Sequence, residues 1–154
     1  MTLLRASYEP DFNPEEGLHK INYSIYPHKG SWADAGTQQH STQFNQPLLA
    51  AVDNGHSGTI VPGKAYVSCE PGNVIVSGLK FAEDQPTDAS ALVIRLFEYK
   101  GEPVTARLTV GWPVVKAEEV DMMEAAIAPI DVDGGSITLD FGKHEIKTIK
   151  LYLE

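Results

Sequence analysis

The residues of this chain that could do chemistry are few and dispersed. Its five histidines, His19, His28, His40, His56 and His144, form no HxH or HExxH pair and no other spacing that would place two ligands on one metal. Its paired carboxylates, Glu15-Glu16 and Glu118-Glu119, are adjacent in turn-like or helix-like surroundings. Glycoside hydrolysis needs two carboxyl groups held a fixed distance apart, which adjacency does not provide, so these pairs read as solvated surface. There is no GxSxG elbow, no phosphate-binding glycine loop and no CxxC. The single cysteine, Cys69 in AYVSCE, has no neighbouring His or Lys and reads as a small buried hydrophobe. No nucleophile, no metal ligand set and no catalytic residue is identified.

Three residues remain as candidates for binding carbohydrate or an adjoining domain: His28, Trp32 and Arg95. His28 and Trp32 close the run INYSIYPHKGSW, a strand pattern that ends in a histidine, a glycine and a tryptophan. Such a histidine can hydrogen-bond a sugar hydroxyl, although it more often anchors the turn after it. Trp32 follows Gly30 and is the better candidate for exposure, since Trp112 follows an inward strand, precedes Pro113 and reads as core or corner packing. Arg95 shares a strand face with Val93, Phe97 and Tyr99. A buried arginine requires partners. An acidic neighbour or the sheet edge supplies the plain solution, and a ligand or another domain the sharper one.

The elements that must position these residues are mostly strands. Period-two alternation runs through HKINYSIYP, PVTARLTV and SITLDF, while NVIVSGL and ALVIRLF are apolar on both faces, as in the middle of a sandwich. In KTIKLYL the inward set Ile149, Leu151 and Leu153 is out of phase with Ile146, which suggests a bulge near Lys147. Pro71-Gly72, Gly101-Glu102-Pro103 and Asp133-Gly134-Gly135 mark turns. SWADAGTQQHSTQF, with Ser31 three residues before Asp34, suggests a short helix weakened by Gly36. EEVDMMEAAIA has helix-forming composition but lies between two strand patterns. The fold class is all-β, an antiparallel β-sandwich with one short helix. Residues 1–52 read as the end of a larger sandwich plus the helix, 53–63 as a glycine-rich linker, and 64–154 as a terminal sandwich.

Composition sets the outer bounds. The chain has 154 residues, enough for one ordinary domain or parts of two. Its formal charge of −9, without any run of Lys or Arg, argues against nucleic acid. The opening MTLLRASYEP lacks the apolar run of a signal peptide, and no segment reaches the roughly 18 apolar residues of a membrane helix. A soluble, reducing, cytoplasmic setting is expected.

The order of the pieces carries a further signal. LLR, YEPD, IxYxIYPHKGSW and FNQPLLA, then LKFAED, IRLFEYKG and the closing HEIKTIKLYL, resemble in series the C-terminal β-region of glycoside hydrolase family 38 α-mannosidases. The resemblance spans nearly the whole chain, with Glu16-Gly17 standing where Asp-x-Gly is more usual and the loop from Asp53 to Gly63 poorly matched. It implies that catalysis, an aspartate nucleophile and a zinc ion held by His and Asp ligands belong to an N-terminal barrel absent from this sequence. This chain alone is then expected to be inactive and to need no cofactor. Its expected role is to support the barrel, with His28, Trp32 and Arg95 near the face that meets it. A free-standing carbohydrate-binding module, taking α-mannosides on two or more coplanar exposed rings, is the alternative. An independent hydrolase would need a carboxylate pair or metal cluster assembled from distant residues. TLLR reads as a strand whose ladder partner lies elsewhere, in earlier chain or in another copy, which would favour a homo-oligomer formed by strand addition.

Overall fold

The computed structural model describes residues 2–6, 9–10, 12–55, 57–58, 60, 62–83 and 91–154. Tyr8 and Asp11 of YEPD, His56, and Asp84 of LKFAED lie outside the described residues. The chain divides into two compact units, Met1–Thr37 and Gln38–Glu154.

The second unit holds the strands. They are β1 (Val67–Glu70), β2 (Val74–Phe81), β3 (Ala91–Glu98), β4 (Val104–Val110), β5 (Val114–Val120), β6 (Ala126–Ile130), β7 (Ser136–Phe141) and β8 (Ile146–Leu153). Three of them form a sheet in the order β1-β4-β7, and five form a second in the order β2-β3-β8-β5-β6. Every pairing is antiparallel. The alternation read from PVTARLTV and SITLDF is the alternation observed. Ala106, Leu108, Val110, Ile137, Leu139 and Phe141 point inward and are buried, while Thr105, Arg107, Thr109, Thr138 and Asp140 face water. They meet Ile94, Leu96, Ile149 and Leu151 of the larger sheet in one core, with Trp112 packed at its margin. Each fully buried aliphatic side chain of this kind contributes about 1.5–3 kcal/mol of transfer free energy.

Two expectations are corrected within this unit, and one ambiguity is resolved. NVIVSGL is an edge strand rather than a central one: β2 pairs only with β3, and its ladder slips between Val76 and Gly78. That bulge, together with a glycine that has no side chain to pack, suits an edge. The bulge expected near Lys147 is absent, because β8 pairs with β3 from Ile146 to Tyr152 without a shift. Ile146 simply belongs to the other face, and the irregularity lies on β5, between Val114 and Lys116. EEVDMMEAAIA is the end of β5, a turn over Asp121–Ala125 and the start of β6. The strands on either side override its helical composition.

Helix α1 (Thr37–Asn45) is shorter than SWADAGTQQHSTQF suggested. Ser31 and Asp34 do form the reciprocal bonds of a cap: the Asp34 N–H donates to Ser31 Oγ at 3.2 Å, and the Ser31 hydroxyl donates to Asp34 Oδ2 at 2.6 Å. They close a separate turn, which Gly36, at a φ of +65°, divides from the helix. In the second unit, α1 is fastened through Gln39, whose amide donates to the Gly72 carbonyl at 2.6 Å and to the Tyr99 hydroxyl at 3.0 Å.

No described residue of the first unit is in a strand, so the strands expected over TLLR and Ile21–Tyr26 do not form there. Alternation marks a face, but a strand persists only where a neighbour completes its ladder. The described residues of this unit supply no such ladder, and Ile21, Tyr23 and Ile25 stand exposed.

Candidate functional site

In the first unit, His28 and Trp32 flank a tight turn. His28 lies 5.6 Å from the Tyr26 ring, the two planes tilted by 38°. Its Nδ1 is 3.4 Å from the Lys29 carbonyl oxygen. The Tyr26 hydroxyl donates to the Ala35 carbonyl at 3.1 Å, which ties the strand-like approach to the far side of the turn. Tyr26 is thus an anchor that sequence reasoning missed, and Trp32 is left half exposed.

In the second unit, the loops at one end of the sandwich gather on a buried carboxylate. Glu98, the glutamate of IRLFEYKG, is 1% exposed. Its Oε1 accepts the Lys100 N–H at 2.7 Å and the Asn73 amide at 3.3 Å. Its Oε2 accepts the N–H groups of Gly101 at 2.8 Å and His144 at 3.0 Å. One side chain so joins the β1–β2, β3–β4 and β7–β8 connections. Burial pushes its pKa up and is the largest single influence, but the donors of His144, Gly101, Lys100 and Asn73 together hold it below the ordinary 4.5. Gly101 has a φ of +79°, and a side chain there would meet the His144 ring at 2.7 Å, so glycine is required twice over. A carboxylate with every oxygen committed to backbone donors is a structural clamp rather than an acid, base or nucleophile. A signal for it exists in the sequence: Glu98 is in phase with the inward Ile94 and Leu96, immediately before a Tyr-Lys-Gly turn.

Arg95 lies on the face of the larger sheet turned away from the core. It stands opposite Gly78 on β2 and Thr148 on β8, and its Nε donates to Thr148 Oγ1 at 3.3 Å. Two other cations of this face are paired with carboxylates, while buried Lys150 lies 5.8 Å from the Tyr152 ring. Lys116 meets Glu118 at 2.5 Å, and Lys80 meets Glu83 at 2.9 Å and Glu124 at 2.5 Å. Glu124 belongs to the turn after β5, yet it also accepts the Glu83 N–H at 2.8 Å, beside the end of β2. That turn therefore straps the outer face from one edge of the sheet to the other. Its own shape is fixed by Asp121, whose Oδ1 accepts the N–H groups of Met123 at 2.8 Å and Ala125 at 2.9 Å. Val93 and Lys150, which lie between Lys80 and Glu118 in the register, are buried.

The sharper catalytic possibilities find no geometry. A cleft of about 510 Å³ beside β6 and β7 collects Glu119, Asp131, Asp133 and Asp140. Lys147 pairs with Glu119 at 2.9 Å, and Asp140 accepts the Thr105 hydroxyl at 2.6 Å. Among the described residues no group of three His, Cys, Asp or Glu converges to hold a metal, so a zinc centre does not fit them. Cys69 is half-buried, and burial, followed by the charge of Glu70, pushes its thiol up to about 11, away from reactivity. His28 and Trp32 fall in the first unit and Arg95 in the second. Among the described residues no helix is long and apolar enough to cross a membrane.

The strands and clamp describe an antiparallel β-sandwich built to hold loops in place, without a catalytic constellation among its described residues. Residues 73–149 match the family model for the glycosyl hydrolases family 38 C-terminal beta sandwich domain. The chain belongs to that family, to which it corresponds as the C-terminal β-domain. Over its whole length it is 31% identical to Alpha-mannosidase 2C1 of Homo sapiens and 29% identical to its counterpart in Mus musculus. It is 27% identical to the Alpha-mannosidase of Saccharomyces cerevisiae over 99% of the chain. It spans 15% of the length of each of the first two and 14% of the yeast protein.

Proposed function

We propose that this chain is the non-catalytic β-domain that supports the catalytic barrel of an α-mannosidase acting in mannoside metabolism in the cytoplasm. The observation that carries the proposal is apolar surface left in water. Leu18, Ile25, Leu48, Leu49 and Val52 are each 82% or more exposed, and Trp32 and Phe44 are about half exposed. A soluble chain seldom leaves so many large apolar side chains uncovered unless another surface covers them. The relatives carry several times this length of polypeptide from which such a surface can come. On this reading the zinc and the nucleophilic aspartate belong to the barrel. His28 and Trp32, presented on their turn, border the face that meets it.

The rival reading, a free-standing module for α-mannosides, needs coplanar exposed rings. The described ring pairs are tilted, by 38° for Tyr26 with His28 and by 35° for Tyr66 with Trp112. Self-association through strand edges is the weaker proposal, since β2 carries a bulge and β6 carries Pro129, both of which blunt an edge.

Two measurements separate these readings. Sedimentation of the chain mixed with the remaining portion of an α-mannosidase should give a one-to-one complex, while the chain alone stays monomeric at micromolar concentration. Titration with mannose and α-linked mannobiose, followed by NMR shifts, should leave His28 and Trp32 unmoved at millimolar sugar. Saturable shifts at those residues without complex formation would make the chain a recognition module instead.

A further inference from the structure

The outer face of the larger sheet contains a pocket of about 250 Å³ lined by Ser77, Gly78, Leu79, Lys80, Val93 and Arg95. Three features of the strands create it. The bulge at Ser77 bends β2 away, and the Ser77 hydroxyl donates to the Arg95 carbonyl at 3.2 Å, which fixes the bend. Gly78, directly opposite Arg95, leaves open the space that a side chain would fill. Buried Thr148 accepts from Arg95 Nε and holds the guanidinium by its inner edge.

That arrangement leaves a charge without a counterpart. Lys80, Lys116 and Lys147 each hold at least one carboxylate, and buried Lys150 lies over the Tyr152 ring with its stem in the sheet. Among the described residues none pairs with Arg95, and none accepts from its two terminal nitrogens. This occurs in a chain with 21 acidic and 12 basic residues, where carboxylates are plentiful. A half-buried, uncompensated guanidinium is costly, and its free donors form the fork that grips an oxyanion with two parallel hydrogen bonds. Lys80 is already held by Glu83 and Glu124, so Arg95 is the cation of the pocket left to receive an anion, and a single guanidinium fork suits a monoanion better than a dianion.

We propose that this pocket binds a carboxylate, held two-pronged by Arg95 over Gly78. This goes beyond the barrel-supporting role and does not depend on it.

The test is a titration of the chain with sodium acetate at constant ionic strength, with chloride as the control. The readouts are the Arg95 Nε–H signal and the Gly78 and Leu79 amides. Acetate should give saturable shifts with half-saturation on the order of 10 mM, which chloride does not reproduce. Arg95→Gln should weaken binding at least roughly tenfold. Gly78→Ala, whose added carbon would meet Arg95 Cβ at an ordinary 3.9 Å, keeps the guanidinium and narrows the opening. It should weaken binding several-fold with the thermal melt little changed, which covers the case in which Arg95→Gln fails to fold. Acetate shifts equal to those of chloride would overturn the proposal, as would shifts that survive both substitutions, or inorganic phosphate binding more tightly than acetate. A second arm uses acetyl-Gly-Asp-Gly-amide. If it binds as well as acetate, the natural occupant is a protein side chain; if acetate binds and the peptide does not, it is a free small carboxylate. Either result supports a carboxylate site, and neither bears on the mannoside titration or the sedimentation experiment.

Discussion

Between Val67 and Leu153 the chain closes a core of buried apolar side chains, with others such as Phe81 and Ile146 left on the surface; before Val67 none of the described large apolar side chains is buried. Both regions carry similar residue types. Ile25 and Ile149 each occupy an alternating pattern, yet one is 82% exposed and the other 0%. The difference is the presence of neighbours. Ile149 lies on β8, with β3 on one side and β5 on the other, and it faces the core. Ile25 has no ladder beside it among the described residues of its unit. Sequence patterning specifies which face is to be covered, and the fold decides what covers it.

Substitutions can break this comparison, and the largest contrast comes from truncating apolar side chains in each region. Leu108→Ala or Ile149→Ala is expected to lower the stability of the sandwich by about 2–5 kcal/mol in denaturant unfolding. Ile25→Ala or Leu49→Ala should change it by less than about 0.5 kcal/mol. Equal losses would mean that the early residues are packed after all.

The clamp at the loop end comes next. Glu98→Gln keeps the shape but removes the charge from four donors, and about 3 kcal/mol of stability is expected to go with it at neutral pH. The pH dependence has a definite sign. Because the folded-state pKa of Glu98 lies below its ordinary 4.5, its contribution is complete above about that pH and is lost as pH falls through the folded value. The gap between native and Glu98→Gln proteins should therefore narrow on acidification below 4.5, as read from unfolding curves at several pH values. A gap that widened would contradict the hydrogen-bonded carboxylate.

Smaller effects sharpen the boundaries of each region. Gly101→Ala combines a positive φ with a clash against His144, and a loss of about 1–3 kcal/mol is expected in thermal unfolding. Ser31→Ala removes a capping bond outside the sandwich. It should cost about 1 kcal/mol locally, visible as faster amide exchange at Asp34 and Ala35 with the sandwich midpoint unmoved.

Much of this molecule can be read from its sequence, because alternation dominates where a strand has one wet face. β4 and β7 are of this kind, and their inward residues follow directly from PVTARLTV and SITLDF. Residues with two apolar faces are ambiguous: ALVIRLF is central as expected, whereas NVIVSGL lies at an edge. Only the bulge and Gly78 mark the difference. The strap over the outer face was illegible, since the reach of Glu124 to Lys80 depends on a turn closed by Asp121, and composition there favours a helix. Glu98 was legible in principle from its inward phase, but its partners come from three loops distant in sequence. Trp112 is packed at the core margin as its setting before Pro113 suggested, and Trp32 is exposed. On the proposed reading, the role of Trp32 is set by the surface that covers it, which its own sequence setting does not specify.

Hydrogen exchange on the chain alone and mixed with the rest of an α-mannosidase polypeptide tests the contrast most directly. Amides of β3 and β8 should be strongly protected in both samples, while those of residues 18–25 and 48–52 exchange fast in the isolated chain and slow in the mixture. Protection of residues 18–25 and 48–52 in the isolated chain, or no change on mixing, would contradict a domain whose early residues are completed by a catalytic partner.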